Sequence, residues 1–294
     1  MIAQLNGELT PRKIAGEVKI AIPSTSLLSA ALPFNTSGNG FWQCSDTAWL
    51  SRVPQIESRM TQSSLPSDVV MLKEHPDKRV LLWQDETQAV PPTIVKVTSA
   101  LKRRCRFRTR RRLESEAFAL ACAERRGLRV PQLFACGTWG WWFCRRRVVI
   151  CMEYLPWPSL LEQLSSASDE AEQWRLMRRV SKLLHQLHDT GCVHVDFGPH
   201  NILLAPDPLT EDVVIDWEFA GFPARASDDS FAAQAGYFSG TVATSQHLVS
   251  PSLIEAWFAE TLSGGRFANP DRLWSVWRRN FLTRESSRRR MEWR

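Results

Sequence analysis

The sequence predicts an α+β protein of two lobes, the first rich in short strands and the second mainly helical. Three observations predict it. From about Asp68 to Met152, apolar runs of strand length recur and are interrupted by one helical segment. Beyond that point the apolar residues fall at helical spacing. The chain of 294 residues, 44% hydrophobic and 23% charged, is long enough and ordinary enough in composition to build a core in each lobe.

Taken in order, residues 1–66 read as a poorly structured N-terminal extension. Ser, Thr, Pro and Gly are frequent there, and Ser37-Gly38-Asn39-Gly40 and Ser63-Ser64 are loop signals. Short strands or a helix fit around Ser45 to Ile56. The stretch from Val18 to Phe34 is the one candidate for a signal peptide, but Pro23, Ser24, Thr25 and Ser26 break its apolar core. No run of 18 or more apolar residues reads as a membrane span. The seven cysteines form no C-x-x-C pair, which fits free thiols in a reducing compartment. A cytoplasmic protein is therefore expected.

Residues 67–155 form the first lobe. Val69-Val70-Met71-Leu72 and Val80-Leu81-Leu82-Trp83 are strands around a Pro76-Asp77 turn, and Thr93 to Val97 is a third strand whose one polar member is Lys96. Leu113 to Arg126 reads as a helix stopped by Gly127. Leu133 to Cys136, Trp141 to Cys144 and Val148 to Met152 read as further strands. Residues 156–294 form the second lobe. Leu176, Val180, Leu183, Leu184 and Leu187 make an amphipathic stripe, with Asp169 and Glu170 at the positive end of its dipole. Ile202 to Leu204 and Val213 to Ile215 are short strands around Pro206-Asp207-Pro208. Helices are predicted over Ser252 to Leu262 and Asp271 to Leu282; Trp274 and Trp277, three apart on the latter, read as core.

The chemistry concentrates in His194-Val-Asp-Phe-Gly-Pro-His-Asn201, an H-x-D-x-x-x-x-N spacing between a long helix and a strand pair. The second strand of that pair ends at Asp216. These residue types suit phosphoryl transfer, in which catalysis is mostly positioning and charge stabilisation. Asp196 would take or orient the proton of an attacking hydroxyl. Asn201 and Asp216 offer the oxygen ligands that magnesium requires. His194 would brace the loop. Upstream, Lys96 would reach the α and β phosphates of ATP, with a helix glutamate holding it. Glu116 is preferred over Glu114 because Ala117, Phe118 and Leu120 place an apolar face beside it. Glu153 to Leu155 follows an apolar strand at the place for a hinge whose backbone binds adenine. A strand lysine alone is more commonly a solubilising edge residue. The order of the five parts carries the reading: strand lysine, helix glutamate, hinge, loop with Asp196 and Asn201, strand-end aspartate.

From about Val69 to Gly221 the chain resembles the bacterial lipopolysaccharide core kinase family, which phosphorylates Kdo or heptose sugars. It is also similar to the aminoglycoside and choline phosphotransferases. Leu113-Glu-Ser-Glu-Ala-Phe-Ala-Leu120, Val130-Pro-Gln-Leu133, Met152-Glu-Tyr-Leu155, Leu184-His-Gln-Leu-His188 and Val214-Ile-Asp-Trp-Glu218 carry the resemblance. It implies a two-lobed protein-kinase-like fold, ATP and Mg2+ as cofactors, and a sugar or other small hydroxyl compound as acceptor. By position it implies base for Asp196, metal ligands at Asn201 and Asp216, and phosphate anchoring by Lys96. Three departures stand out. No G-x-G-x-x-G lies between Val69 and Trp83, where Lys73-Glu-His-Pro-Asp-Lys78 stands instead. Val195 occupies a place where the small-molecule families have Gly. No A-P-E follows Asp216, which disfavours a peptide acceptor.

Charge adds one more feature. Eight of the 37 lysines and arginines lie between Lys102 and Arg112, so the remainder carries 29 cations against 31 anions. The bland reading of this run is a solvated loop and helix start. The functional reading is contact with an anionic surface, either phosphorylated lipopolysaccharide or the inner membrane face. With Phe107 as its one aromatic, it offers no stacking platform for nucleic acid. Two readings outside catalysis are a pseudokinase, which the intact Lys96, Asp196, Asn201 and Asp216 oppose, and a nucleic-acid-binding protein using the basic run.

Overall fold

Alternation along one strand organises the first lobe. Successive side chains of a strand point to opposite faces. In β5 (Thr93–Thr98), Val95 and Val97 enter one apolar cluster, whereas Ile94 packs against another on the opposite face, the face that also carries Lys96. The computed structural model describes residues 34–37, 40–45, 47–61, 65–75, 78–84, 91–98, 103–139, 147–207, 209–245, 248–263 and 265–282. The expected strand over Trp141 to Cys144 and nearly all of the candidate signal peptide lie outside these residues.

The sheet has seven antiparallel strands. They are β1 (Phe34–Ser37), β2 (Gly40–Cys44), β3 (Val69–His75), β4 (Lys78–Trp83), β5, β6 (Leu133–Trp139) and β7 (Arg147–Glu153), in the order β1-β2-β6-β7-β5-β4-β3. The β3–β4 hairpin pairs His75 with Lys78, leaving two residues between the strands. One face of the sheet is covered by helix α1 (Thr47–Thr61), whose Trp49, Val53 and Ile56 close over Trp42, Trp83, Val95 and Val149. Trp49 stacks on Phe134 with ring centroids 4.8 Å apart and meets the edge of Trp83 at 6.3 Å.

This corrects the expectation of a poorly structured extension over residues 1–66, since β1, β2 and α1 all fall within it. Its apolar residues show no regular period, and Trp42 of β2 and Trp49 of α1 bury by packing the two elements on the sheet.

The opposite face receives helix α2 (Arg103–Arg125), with Leu113, Ala117 and Leu120 buried against Val148, Ile150 and Met152. The helix begins ten residues earlier than Leu113, so residues 103–112 of the basic run belong to its first turns. Arginine and lysine are good helix formers, and lack of apolar periodicity hides a helix but does not forbid it.

The second part is helical: α3 (Leu160–Ser166), α4 (Glu170–Asp189), α5 (Asp228–Thr244), α6 (Pro251–Leu262) and α7 (Pro270–Leu282), with a small hairpin of β8 (Ile202–Leu203) and β9 (Val213–Val214). The helix starts are chemically marked. Ser159 and Glu162 form a reciprocal capping box, and Asp169, Ser227 and Ser250 each accept a backbone N–H of the first turn of their helix. Leu176, Met177, Val180, Leu183, Leu184 and Leu187 form the buried stripe of α4.

Helix α5 is absent from the sequence reading because it has no polar face to create a period: Phe231, Ala232, Ala235, Tyr237, Phe238 and Val242 are all buried. Its two glycines let α7 approach closely. A Cβ on Gly236 would lie 2.5 Å from the Trp277 carbonyl oxygen, and one on Gly240 2.7 Å from that of Phe281. Trp277 fills the contact, stacked on Phe258 and Phe281 and donating its indole N–H to Ser239 Oγ at 3.0 Å.

One side chain ties the end of α2 to the helical part. The Arg126 guanidinium donates to the carbonyl oxygens of Thr190, Gly191, Phe222 and Pro223 at 2.7–3.1 Å. These carbonyls flank the segments that carry Asp196 and Asp216, so Arg126 sets both relative to α2.

Replacing Gly236 by Val should lower the urea midpoint by an amount equivalent to about 2 kcal/mol, the usual cost of overpacking a filled core. An unchanged midpoint would mean that α7 is free to retreat from α5.

Candidate active site

Lys96 faces α2 because its neighbours Val95 and Val97 are committed to the α1 side. Its ammonium forms a buried ion pair with Glu116, a residue with no exposed surface on α2, and lies 3.3 Å from Asp216 Oδ1. Of the two helix glutamates weighed from sequence, Glu116 is the one that meets the lysine. Burial alone would lower the pKa of Lys96, but Glu116 and Asp216 outweigh it and hold the ammonium above its ordinary value. Burial would likewise raise the Asp216 carboxyl, but Lys96 and Lys78 outweigh that and hold it well below the usual carboxylate range. Asp216 is thus an anion gripped by two cations.

Asp216 also has φ 64°, the one left-handed non-glycine conformation among the described residues. Such a conformation is uncommon outside glycine and collects at functional sites. It turns the chain from β9 into the short 3-10 turn Trp217–Phe219, against which α2 packs. Trp217 is buried there and donates its indole N–H to the Val214 carbonyl at 2.7 Å.

Two groups at this corner escaped the sequence reading. Lys78 stands opposite Thr98 in the β4–β5 register, on the same face as Lys96. Its ammonium pairs with Glu218 and lies 3.7 Å from Asp216 Oδ1 and 3.9 Å from Glu116 Oε2. Neither residue has a sequence signal of its own: Lys78 reads as a hairpin-tip lysine and Glu218 as a turn residue.

The loop from His194 to Asn201 is pinned at several points. Val193 and Gly221 exchange backbone hydrogen bonds of 2.9 and 2.8 Å. Asn201 donates its side-chain amide to the Asp196 carbonyl at 2.9 Å, and its own carbonyl accepts the Ile215 N–H at 2.9 Å. Asn201 is thereby held to both acidic segments. Asp196 is buried, and its Oδ1 accepts the hydroxyl hydrogen of Tyr237. One turn earlier on α5, Gln234 Oε1 accepts the His194 backbone N–H at 2.7 Å. Helix α5 therefore clamps this loop through two side chains that the sequence reading did not find. They sit on a helix without periodicity, far from the motif in sequence.

His194 is 1% exposed, edge-on to Trp217 at 5.0 Å and against the backbone of Ile215 and Asp216. It packs beneath the loop and offers nothing to the surface. At the expected hinge, the Glu153 carboxylate accepts two bonds from Arg129 Nη2, at 2.8 and 3.0 Å, and one from the Gln132 N–H at 3.0 Å. The Tyr154 N–H is spent on the Pro92 carbonyl at 3.1 Å. Glu153 thus anchors the strand end by its side chain, and any nucleotide contact here falls to backbone near the buried Leu155.

The donor set fits a hard divalent cation. Carboxylate oxygens of Glu116, Asp216 and Glu218 lie within 4.8 Å of one another. Asn201, anchored through its nitrogen, retains an amide oxygen as a neutral ligand. All are oxygen donors of the kind magnesium takes.

The family described as Lipopolysaccharide kinase (Kdo/WaaP) family matches residues 98–227, which include Glu116, Asp196, Asn201 and Asp216. A solved structure, "WaaP in complex with acyl carrier protein", superposes with a TM-score of 0.51 at 17% identity, covering 83% of this chain and 95% of that one. The chain thus has the fold of that kinase, and the family match marks it as a kinase. No curated protein matches it by sequence.

Burial lowers the pKa of His194 to about 4, from 6.5. The unfolded chain therefore binds an extra proton between those two values, and stability should fall as pH falls through that window. Denaturation midpoints at pH 7 and pH 5 should show the loss, and His194→Asn should flatten it. An equal pH dependence in that variant would contradict a neutral buried imidazole.

Proposed function

We propose that this chain, a kinase of the lipopolysaccharide-core type, transfers the γ-phosphate of ATP to a sugar hydroxyl, with Kdo or heptose of the core as the leading acceptors. The observation that carries the reading is the contact of Lys96, paired with Glu116, against Asp216, next to the loop that holds Asp196 and Asn201. Phosphoryl transfer asks for little else: an anchored polyphosphate, a hydroxyl held in line, and charge stabilisation.

Each residue has a role that follows from its setting. Lys96, kept charged by its two carboxylates, anchors nucleotide phosphates. Asn201 and Asp216 would hold magnesium, which when bound neutralises charge on the phosphates. Asp196 receives the acceptor's proton. The Tyr237 hydroxyl donates to its Oδ1 and holds the carboxylate in place. Burial of the loop and its clamp on α5 fix that carboxylate before substrate arrives. The lack of an A-P-E segment after Asp216 supports a small or glycan acceptor over a peptide.

Wild-type protein with labelled ATP and Mg2+ should phosphorylate core sugars. Asp196→Ala and Asp216→Ala should each lose at least about 100-fold in turnover, in line with removal of a positioned proton acceptor or a charge-stabilising group. Full activity in either variant would sink the mechanism. Aminoglycosides and choline belong in the same acceptor screen, and turnover confined to them would move the protein to the small-molecule kinases.

For the basic run we propose an anionic partner. Its cations occupy the first turns of α2, where no acidic residue offsets the positive end of the dipole, so an anion there relieves like charge. No helix of the described residues is long and apolar enough to cross a membrane. A cytoplasmic protein that visits the inner membrane face is the matching location. Charge reversal of Arg110, Arg111 and Arg112 should weaken binding to anionic liposomes and make it less salt-dependent. The WaaP structure holds acyl carrier protein, so such a protein is the second arm of the test. Unchanged binding in both arms would return the run to a solvated helix surface.

A further inference from the structure

We propose that Lys78 is a second phosphate-binding lysine of the nucleotide site and takes over the role of a glycine-rich loop. The inference rests on the kinase reading above and extends it to a residue outside the matched segment, which begins at residue 98.

Kinases with a glycine-rich loop cover the phosphates with the backbone of the hairpin between their first two strands. Here the corresponding hairpin pairs His75 with Lys78 and leaves two residues between them, with no glycine from Val69 to Trp83. Of those two residues, Pro76 has no N–H to offer a phosphate. The first residue after it is Lys78, and the pleat decides where it points. Leu81 and Trp83 join the cluster under α1, so Lys78, Val80 and Leu82 belong to the opposite face. That is the face of Lys96, and the register sets Lys78 opposite Thr98, two residues beyond Lys96 on β5.

The charges at this corner do not balance. Lys78 and Lys96 face Glu116, Asp216 and Glu218, two ammonium groups among three carboxylates. A triphosphate entering so acidic a corner needs every cation present. Lys96 is 10% exposed and paired with Glu116; Lys78 is 20% exposed, at a hairpin tip, paired with Glu218, and carries longer contacts to Asp216 and Glu116. It is the more exposed of the two ammonium groups. Its reach is toward the terminal phosphates, because its partner Asp216 is the carboxylate assigned to the phosphate-bound metal. In the nucleotide-free protein the same contacts keep Lys78 from pointing into solvent, so the site holds its second cation in place.

Equilibrium binding of ATP and of AMP, each with Mg2+, to the full chain separates this role from a structural one. Lys78→Met should weaken ATP binding by about 10- to 100-fold, the range for loss of a hydrogen bond to a charged group. AMP, which lacks the terminal phosphates, should bind both proteins alike, and Lys78→Arg should restore most of the ATP affinity. Unchanged ATP affinity in Lys78→Met, or equal losses for ATP and AMP, would overturn the inference. Lys78→Gln serves if Lys78→Met melts below the assay temperature; failure of both to fold would assign Lys78 to the architecture of the sheet and overturn it too. Wild-type protein that retains no ATP would instead strike the nucleotide reading itself.

Discussion

The buried charge contact of Lys96 with Glu116 and Asp216 is the constraint on which the site depends. A lysine and a glutamate this deeply buried are tolerated only as a pair, since either left alone would be an uncompensated charge. Three elements distant in sequence must therefore meet: β5, α2 and the turn after β9. The requirement fixes α2 against the sheet and brings the segment containing Asp216 up to it. Arg126 secures the same junction from the other end of α2 with four carbonyl partners. The pairing that keeps Lys96 charged is thus also what registers the strand-rich part against the helical part.

A second constraint acts from below. Helix α5 presents Gln234 and Tyr237 to the loop that holds Asp196, and α5 is itself seated by α7 across Gly236 and Gly240. Placement of Asp196 consequently reaches from α7 through a glycine contact to the Tyr237 hydroxyl. Rigid packing of this kind suits a reaction in which the protein's contribution is geometry and charge rather than covalent chemistry. The other face of the sheet, closed by α1 and its tryptophan contacts, gives β4 and β5 a firm backing, which is why Lys78 and Lys96 can be aimed so reliably into one corner.

Motif spacing made part of this legible. His194, Asp196 and Asn201 lie within eight residues of one another, so their grouping is local and survives in any fold that keeps the loop. The strands of the first lobe were legible as short apolar runs between turn signals, and the α4 stripe by its helical period. Elements buried all round or carrying few apolar residues were not: α5, the β1–β2 hairpin and the basic turns of α2 show no alternation to read. The roles of Glu153 and Leu155 were legible only as a position, because the bonds at a strand end depend on what pairs with it.

The sequence by itself determined the residue types of the candidate site, their order along the chain, and the change from a strand-built half to a helical half. Its local periods and spacings carry that much. Only the tertiary structure decided which glutamate meets Lys96, that Lys78 and Glu218 share the corner with it, and that Tyr237 holds Asp196. Those contacts join residues 20 to 140 positions apart. What brings them together is the burial of the faces on either side of the sheet, and no local pattern records it.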